Sequence, residues 1–172
     1  ELFHKAVQKA VEKDPDGIVL DLRYNPGGYL QGAVEVASEW IEDEPVVIEE
    51  FGTGEKKEYQ AQGNARLEGF NTVVLINEGS ASASEIVAGA LKDYNEALVM
   101  GEKSFGKGSV QSLKRYNNNS TVKVTVAKWL TPNGTTIKNK GITPDVSVNM
   151  DEQDYKEVKD SQLRRAMEAL QD

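Results

Sequence analysis

Residues 72–86 read TVVLINEGSASASEI and pass from one kind of structure to another within a few positions. The unbroken apolar run at residues 72–76 predicts a strand that is buried on both faces. Residues 77–79 predict a turn, and apolar residues at helical spacing from Ile86 onward predict a helix over residues 83–94. A buried strand that leads through a short turn into a helix is typical of an α/β protein.

The rest of the chain supports the same fold class. Short apolar runs predict further strands, and helical spacing predicts further helices, the last of them acidic and amphipathic. The strands are predicted at residues 18–20, 45–48 and 97–100, the helices at residues 2–11, 29–41 and 151–170, and a hairpin or surface flap at residues 51–68. Val122, Val124 and Val126 alternate with polar residues, which predicts an antiparallel strand with one wet face. We therefore expect an α/β core with a mixed β-sheet, flanking helices and antiparallel hairpins.

Composition excludes several classes of protein. The chain has 172 residues, and its 38% hydrophobic and 28% charged residues are typical of one soluble globular domain. The net charge of -8 argues against negatively charged partners such as nucleic acid and anionic membranes. The chain has no cysteine, and His4 is its single histidine, which excludes thiolate chemistry and argues against a catalytic zinc site. We expect no metal and no cofactor.

The turn before the predicted helix holds a candidate nucleophile. Ser82 follows a strand at its carboxyl end, where open α/β sheets tend to bind ligands. Unpaired N–H groups at the start of the helix, first that of Ala83, can stabilise an oxyanion. A structural interpretation competes with this one, because Ser82 and Glu85 also form the pattern of a capping box. The neighbouring Ser80 and Ser84 leave the identity of the nucleophile open.

A lysine between two glycines is the candidate base. Without a usable histidine or cysteine, a neutral lysine is the main alternative for activating a serine hydroxyl. Lys107 would need a dry pocket, because desolvation favours the neutral amine. Gln111 could accept a hydrogen bond from the amine without adding charge. The competing interpretation is a solvated lysine in a turn.

The same loop also resembles a phosphate-binding loop. Residues 101–107 match the first seven positions of that pattern, and residues 18–21 could imitate its magnesium-binding strand. The eighth position is Gly108, where the pattern needs Ser or Thr to hold Mg²⁺. No helical spacing follows, although a helix should cradle the phosphate. We therefore do not favour a nucleotide site.

Paired glycines follow the first predicted strand. Gly27 and Gly28 permit positive φ angles and close approach of the backbone to a ligand. A glycine N–H that faces the serine turn would supply a second oxyanion donor. Taken alone the motif is weak, since most Pro-Gly-Gly sequences are only turns.

These segments occur in an order that resembles the carboxyl-terminal processing proteases, also called tail-specific proteases. They are residues 20–28 (LDLRYNPGG), 77–86 (NEGSASASEI), 101–111 (GEKSFGKGSVQ), 131–134 (TPNG) and 141–145 (GITPD). The resemblance covers most of the chain, from about residue 18 to residue 148. It implies a crotonase-like or ClpP-like core and a serine endopeptidase that uses a serine and a lysine.

By position, the resemblance implies a role for each candidate. Ser82 would be the nucleophile, Lys107 the general base, and Gln111 the residue that orients the lysine. The oxyanion hole would come from the N–H of Ala83 and of the paired glycines, with Gly28 favoured over Gly27.

The resemblance also implies partners and a location. Substrates would be proteins or peptides cut near their C-terminal tails, in the periplasm or at the bacterial cell envelope. Family members usually carry a PDZ domain before the core, and only about 17 residues precede the first strand, so we expect a partial catalytic domain over residues 1–172. A non-catalytic peptide-binding fragment or member of the same fold is the alternative. Exposed edge strands would allow a homo-oligomer.

Overall fold

The computed structural model describes residues 2–117, 120–150, 154 and 159–171. The helices are α1 (Leu2–Lys13), α2 (Leu30–Ala37), α3 (Ala83–Asp93) and α4 (Ser161–Ala169). The strands are β1 (Ile18–Asp21), β2 (Pro45–Phe51), β3 (Lys56–Gln60), β4 (Thr72–Ile76), β5 (Leu98–Gly101), β6 (Ser109–Arg115), β7 (Thr121–Leu130) and β8 (Val146–Ser147).

One sheet is parallel, with the strand order β1-β4-β5-β8. The central strand β4 pairs with β1 on one side and with β5 on the other, and β8 extends the sheet beyond β5. Every residue of β4 is buried, as the unbroken apolar run predicts. Because β1, β4 and β5 run in the same direction, the loops that follow them leave from one edge of the sheet.

The residues of β4 alternate between two apolar layers. Val74 and Ile76 face a large core that includes residues of α2 and α3, while Val73 and Leu75 pack with Ala166 of α4. This alternation is the period of two that defines a strand. Helices therefore cover both faces of the parallel sheet, as such sheets require.

The other sheet is antiparallel, with the strand order β3-β2-β7-β6. The α/β class is confirmed, but the parallel and antiparallel strands lie in two separate sheets instead of one mixed sheet. A hairpin or surface flap is predicted at residues 51–68, and the hairpin observed there begins with β2 at Pro45 and ends with β3 at Gln60. Their short connection allows only antiparallel pairing between them, and the other edge of β2 pairs antiparallel with β7 and not with a strand of the parallel sheet.

The prediction of one wet face for β7 is wrong. Val122, Val124 and Val126 are 45%, 48% and 38% exposed, and the polar residues between them are exposed as well. At this end β7 pairs with β6, most of which is also exposed, and no other described element covers the valines. Alternation shows which residues share a face, but it does not show whether that face is covered.

Two helices differ from their predicted bounds by more than two residues. α2 ends at Ala37 instead of residue 41, because the N–H groups of Glu39 and Trp40 bond three residues back and form a tighter turn. The helix predicted over residues 151–170 is represented by α4, and residues 151–153 and 155–158 lie outside the described residues. In the described part of the chain, no helix combines the length and apolar character that a membrane crossing needs.

Candidate active site

Three loops meet at the carboxyl edge of the parallel sheet. We call residues 22–28 after β1 the glycine turn, residues 77–82 after β4 the serine turn, and residues 102–108 after β5 the lysine loop. The loops are far apart in sequence, but the strand order β1-β4-β5 places them side by side. This is the edge at which open α/β sheets bind ligands.

Ser82 has the backbone of a nucleophile elbow. Its φ and ψ are 55° and -115°, a conformation that residues with a side chain rarely adopt. A sharp turn of this kind between a strand and a helix exposes the serine hydroxyl. The predicted capping box is also present, and the Glu85 carboxylate accepts a hydrogen bond from the Ser82 N–H at 2.7 Å. The capping and catalytic interpretations therefore do not exclude each other.

The structure separates the three serines of this region. The Ser80 hydroxyl is fully buried and donates to the Leu22 carbonyl oxygen at 2.8 Å. The Ser84 hydroxyl donates to the Asn25 carbonyl oxygen at 3.0 Å. Both hydroxyls therefore fasten the glycine turn in place, whereas Ser82 lines a cavity. Of the three, Ser82 is the one placed to meet a ligand.

Two main-chain N–H groups beside Ser82 are available as donors. The Gly27 N–H donates to the Asn25 side chain at 3.0 Å. The N–H groups of Gly28 and Ala83 donate to no other group in residues 2–117, 120–150, 154 and 159–171. Both residues line the same cavity as Ser82. Of the paired glycines, Gly28 therefore has the N–H that can serve a ligand.

Gly27 packs directly against the serine turn. A Cβ at this position would lie 2.5 Å from the Ala81 carbonyl oxygen and 2.7 Å from the Ala83 nitrogen, and φ is +90°. We expect Gly27→Ala to lower the free energy of unfolding by about 2–4 kcal/mol, because overpacking and backbone strain add. Urea denaturation followed by circular dichroism measures this change.

Gly28→Ala is the matched control for that substitution. Nothing lies within 4 Å of a Cβ built on Gly28, and its φ is not in the left-handed region. We expect its unfolding free energy to stay within about 1 kcal/mol of the unsubstituted chain. Equal losses in both variants would contradict the close packing of Gly27.

The lysine loop is tied to the serine turn and α3 through its backbone. The Phe105 N–H donates to the Ser80 carbonyl oxygen at 3.0 Å, and the N–H groups of Gly106 and Lys107 donate to the Glu85 carboxylate at 2.6 and 2.9 Å. A phosphate-binding loop would keep such N–H groups for phosphate. The element that follows is the strand β6, not a helix. The structure therefore argues against a nucleotide site here.

The side chains of the candidate dyad are not joined to each other. Lys107 is exposed, and no hydrogen bond joins its amine to the Ser82 hydroxyl within the described residues. Gln111 lies in β6 and lines the same cavity as Ser82. The structure thus brings the backbones of the candidates together without closing contact between the serine hydroxyl and the lysine amine.

A small uncharged cavity of about 200 Å³ opens beside Ser82. Its walls include Leu30, Ile86, Val110 and Trp129, and no charged side chain lines it. Walls of this kind suit an apolar side chain of a ligand. Among the described residues, no group of three or more His, Asp or Glu is arranged to hold a metal ion.

Arg23 anchors the glycine turn to α4. Its guanidinium donates to Asp21 at 2.9 and 2.7 Å and to Asp160 at 2.8 and 2.7 Å. These side-chain hydrogen bonds raise the pKa of Arg23, and the bond from Arg23 lowers the pKa of Asp160. Asp160 also caps α4 by accepting from the Leu163 N–H at 2.8 Å. The charged pair therefore braces the glycine turn at neutral pH.

The sequence matches a known family of peptidases. Residues 1–148 match the family model of peptidase family S41. The chain belongs to peptidase family S41. The family that the motifs of the sequence indicate is thereby confirmed.

Two relatives of this S41 chain are staphylococcal proteins that are much longer than it. It is 43% identical over 146 residues to the "Probable CtpA-like serine protease" of Staphylococcus epidermidis. It is 45% identical over 146 residues to the protein of the same name from Staphylococcus aureus (strain COL). Each match covers 84% of this chain but only 30% and 29%, respectively, of the relative.

Solved structures share the fold of this S41 chain. The photosystem II D1 C-terminal processing protease is 39% identical, with a TM-score of 0.80 over 86% of this chain and 39% of that chain. A protein from Parabacteroides merdae is 21% identical, with a TM-score of 0.78 over 92% of this chain and 53% of that chain. The second likeness shows the shared fold alone.

Two contacts of the candidate site are absent from the sequence prediction. Glu85 enters there only as a capping residue, and its contacts with the lysine loop depend on the neighbouring strand β5. The bond from Arg23 to Asp160 joins opposite ends of the chain, so no local pattern reveals it. The sequence gives one indication of the role of Glu85. Its position three residues after Ser82 predicts a contact with the serine turn.

Proposed function

We propose that this chain carries the catalytic centre of a serine endopeptidase that cuts protein substrates near their C-terminal tails. Ser82 is the nucleophile, Lys107 the general base, and Gln111 orients the lysine. The observation that carries the proposal is the strained backbone of Ser82 at φ 55° and ψ -115°, at the edge where the three loops meet. Such strain persists where the surrounding structure enforces it, and it clusters at active sites.

The first half of the reaction forms an acyl-enzyme. The Ser82 oxygen attacks the carbonyl carbon of the peptide while the neutral Lys107 amine takes the hydroxyl proton. The negative charge moves to the carbonyl oxygen, where the N–H groups of Gly28 and Ala83 donate to it. When the tetrahedral intermediate collapses, the C–N bond breaks and the leaving amine receives the proton from Lys107.

The second half releases the shortened substrate. A water molecule attacks the ester carbonyl while Lys107 again accepts a proton, and the Ser82 oxygen leaves and is reprotonated. Lys107 is exposed in this structure, so its amine becomes dry only when a peptide covers the site. A bound peptide would exclude water and strengthen the electrostatic contacts inside.

The cavity beside Ser82 supports a protein substrate with an apolar residue before the cut. Its uncharged walls would leave a charged side chain without a partner, which is costly when the group is buried. The name of the D1 C-terminal processing protease, which is 39% identical, supports the proposal that this chain acts near C-terminal ends.

The proposal is tested with an unstructured peptide that has an apolar residue near its C-terminus. We expect mass spectrometry to show two products, and a fluorophosphonate probe to label one serine that peptide mapping assigns to Ser82. Cleavage without labelling of Ser82 would contradict the proposed nucleophile. Measurable peptide binding with neither cleavage nor labelling would favour a non-catalytic peptide-binding member of the fold.

A further inference from the structure

The Glu85 carboxylate has a position that the proposed reaction does not use. Its side chain is fully buried, with 0% of its surface exposed. It lies in the first turn of α3, between the serine turn and the lysine loop. A buried acid is costly unless other groups satisfy it, so its contacts indicate what it does.

Four neutral donors surround this carboxylate. Oε2 accepts from the Ser82 N–H at 2.7 Å and from the Lys107 N–H at 2.9 Å. Oε1 accepts from the Ser104 hydroxyl at 2.6 Å and from the Gly106 N–H at 2.6 Å. A carboxylate has about four lone-pair sites on its two oxygens. The donors therefore match its full capacity.

We propose that Glu85 is a positioning residue, which holds the serine turn and the lysine loop in register through one shared oxygen. The backbones of Ser82 and Lys107 both donate to Oε2, so the place of each depends on the other. Hydrogen bonds to an ionised acceptor are about twice as strong as neutral ones. The inference rests on the proposed peptidase function, because this register matters only if the two residues react together.

Because all its acceptor sites are occupied, the Glu85 carboxylate has no site left for a hydrogen bond from the Lys107 amine. A carboxylate with a vacant acceptor site beside a lysine would bond the amine and favour its cationic form. In this structure the backbone N–H of Lys107, not its amine, reaches Glu85. The Ser104 hydroxyl occupies Oε1 and itself accepts from the Ile142 N–H at 2.7 Å. The buried Glu85 carboxylate therefore lies next to Lys107 without forming a hydrogen bond to the Lys107 amine.

Glu85→Gln tests this role. The amide has one acceptor oxygen, and its NH₂ would face N–H donors, so the register of the two loops should loosen. We expect kcat for peptide hydrolysis to fall about 100-fold, the scale of a small misplacement of reacting groups, while KM stays within about twofold. Glu78→Gln, an exposed acid of the same turn, is the matched control and should keep the original kcat.

A second measurement needs no substrate. Amide hydrogen exchange at Gly106, at Lys107 or at both should become about tenfold faster in Glu85→Gln, because the two N–H groups donate to different oxygens and glutamine keeps only one of them. Faster exchange in a chain that cuts no peptide would support the bracing contact and overturn the peptidase function. Unchanged exchange together with unchanged kcat would overturn the role of Glu85.

Ser104→Ala decides the matter if Glu85→Gln does not fold. This variant leaves an acceptor site on Oε1 vacant, so the carboxylate is held less firmly and can bond the Lys107 amine. We expect kcat to fall several-fold with KM unchanged, a smaller effect than that of Glu85→Gln. An unchanged kcat in folded Ser104→Ala would overturn the proposal in that case.

Discussion

Ser82→Ala is expected to reduce the rate of peptide hydrolysis by about 10⁶-fold, the scale seen when the nucleophile of a serine protease is removed. The loss follows from the chemistry, because alanine has no oxygen to attack the carbonyl carbon. We expect the fold to survive, since Ser82 lines a cavity and its Oγ fastens neither neighbouring loop to the other. Measurement of kcat, together with circular dichroism of the variant, tests both statements.

Ser84→Ala is the matched control for the nucleophile. The Ser84 hydroxyl donates to the Asn25 carbonyl oxygen, so its loss should lower stability by about 1 kcal/mol. Hydrolysis should stay within about tenfold of the original rate, and a fluorophosphonate probe should still label Ser82. Full activity in Ser82→Ala, or labelling that disappears only in Ser84→Ala, would assign the nucleophile to another serine.

Lys107→Met is expected to lower kcat by about 10³-fold, within the range that a general base contributes. Methionine keeps much of the length of the lysine side chain but has no nitrogen to take the serine proton. The Lys107 backbone N–H remains, so its bond to Glu85 and the shape of the lysine loop should persist. Steady-state kinetics with the same peptide gives the measurement.

Two further variants test whether Lys107 acts as a proton acceptor or only as a positive charge. Lys103→Met removes another exposed lysine of the same loop, and we expect kcat within about twofold of the original. Lys107→Arg keeps a cation that cannot be deprotonated in proteins, so it should be as inactive as Lys107→Met. Recovery of activity in Lys107→Arg would show that the reaction needs charge at this position and not a proton acceptor.

Local patterns in the sequence predict the parts of this fold that depend on chain neighbours. The apolar run at residues 72–76 predicts the buried strand β4, and helical spacing after Ser82 predicts α3, because both periods come from the backbone itself. The motifs around Gly28, Ser82 and Lys107 likewise indicate the peptidase family. The strand and helix predictions use residues within a few positions of one another, and the family inference uses short motifs and their order along the chain.

Local sequence does not determine whether a strand face is covered by another element, or which sheet a strand joins. The valines of β7 alternate as a half-buried strand would, yet no described element lies over them. Likewise, the apolar residues of β2 are compatible with either sheet, and its pairing with the distant strand β7 places it in the antiparallel one. A residue pattern contains no information about what packs against it from a distant part of the chain.

From one sequence it was possible to infer an α/β chain of the S41 family with Ser82, Lys107 and a glycine pair as candidates. Three-dimensional packing supplied the physical reason for two of these choices: Ser80 and Ser84 are used as donors to the glycine turn, and the Gly27 N–H is used by Asn25, which leaves Ser82 and Gly28 for a ligand. It also revealed Glu85 as the contact between the serine turn and the lysine loop. The reason is physical: hydrogen bonds between loops depend on which strands lie side by side, and strand order follows from burial across the whole chain.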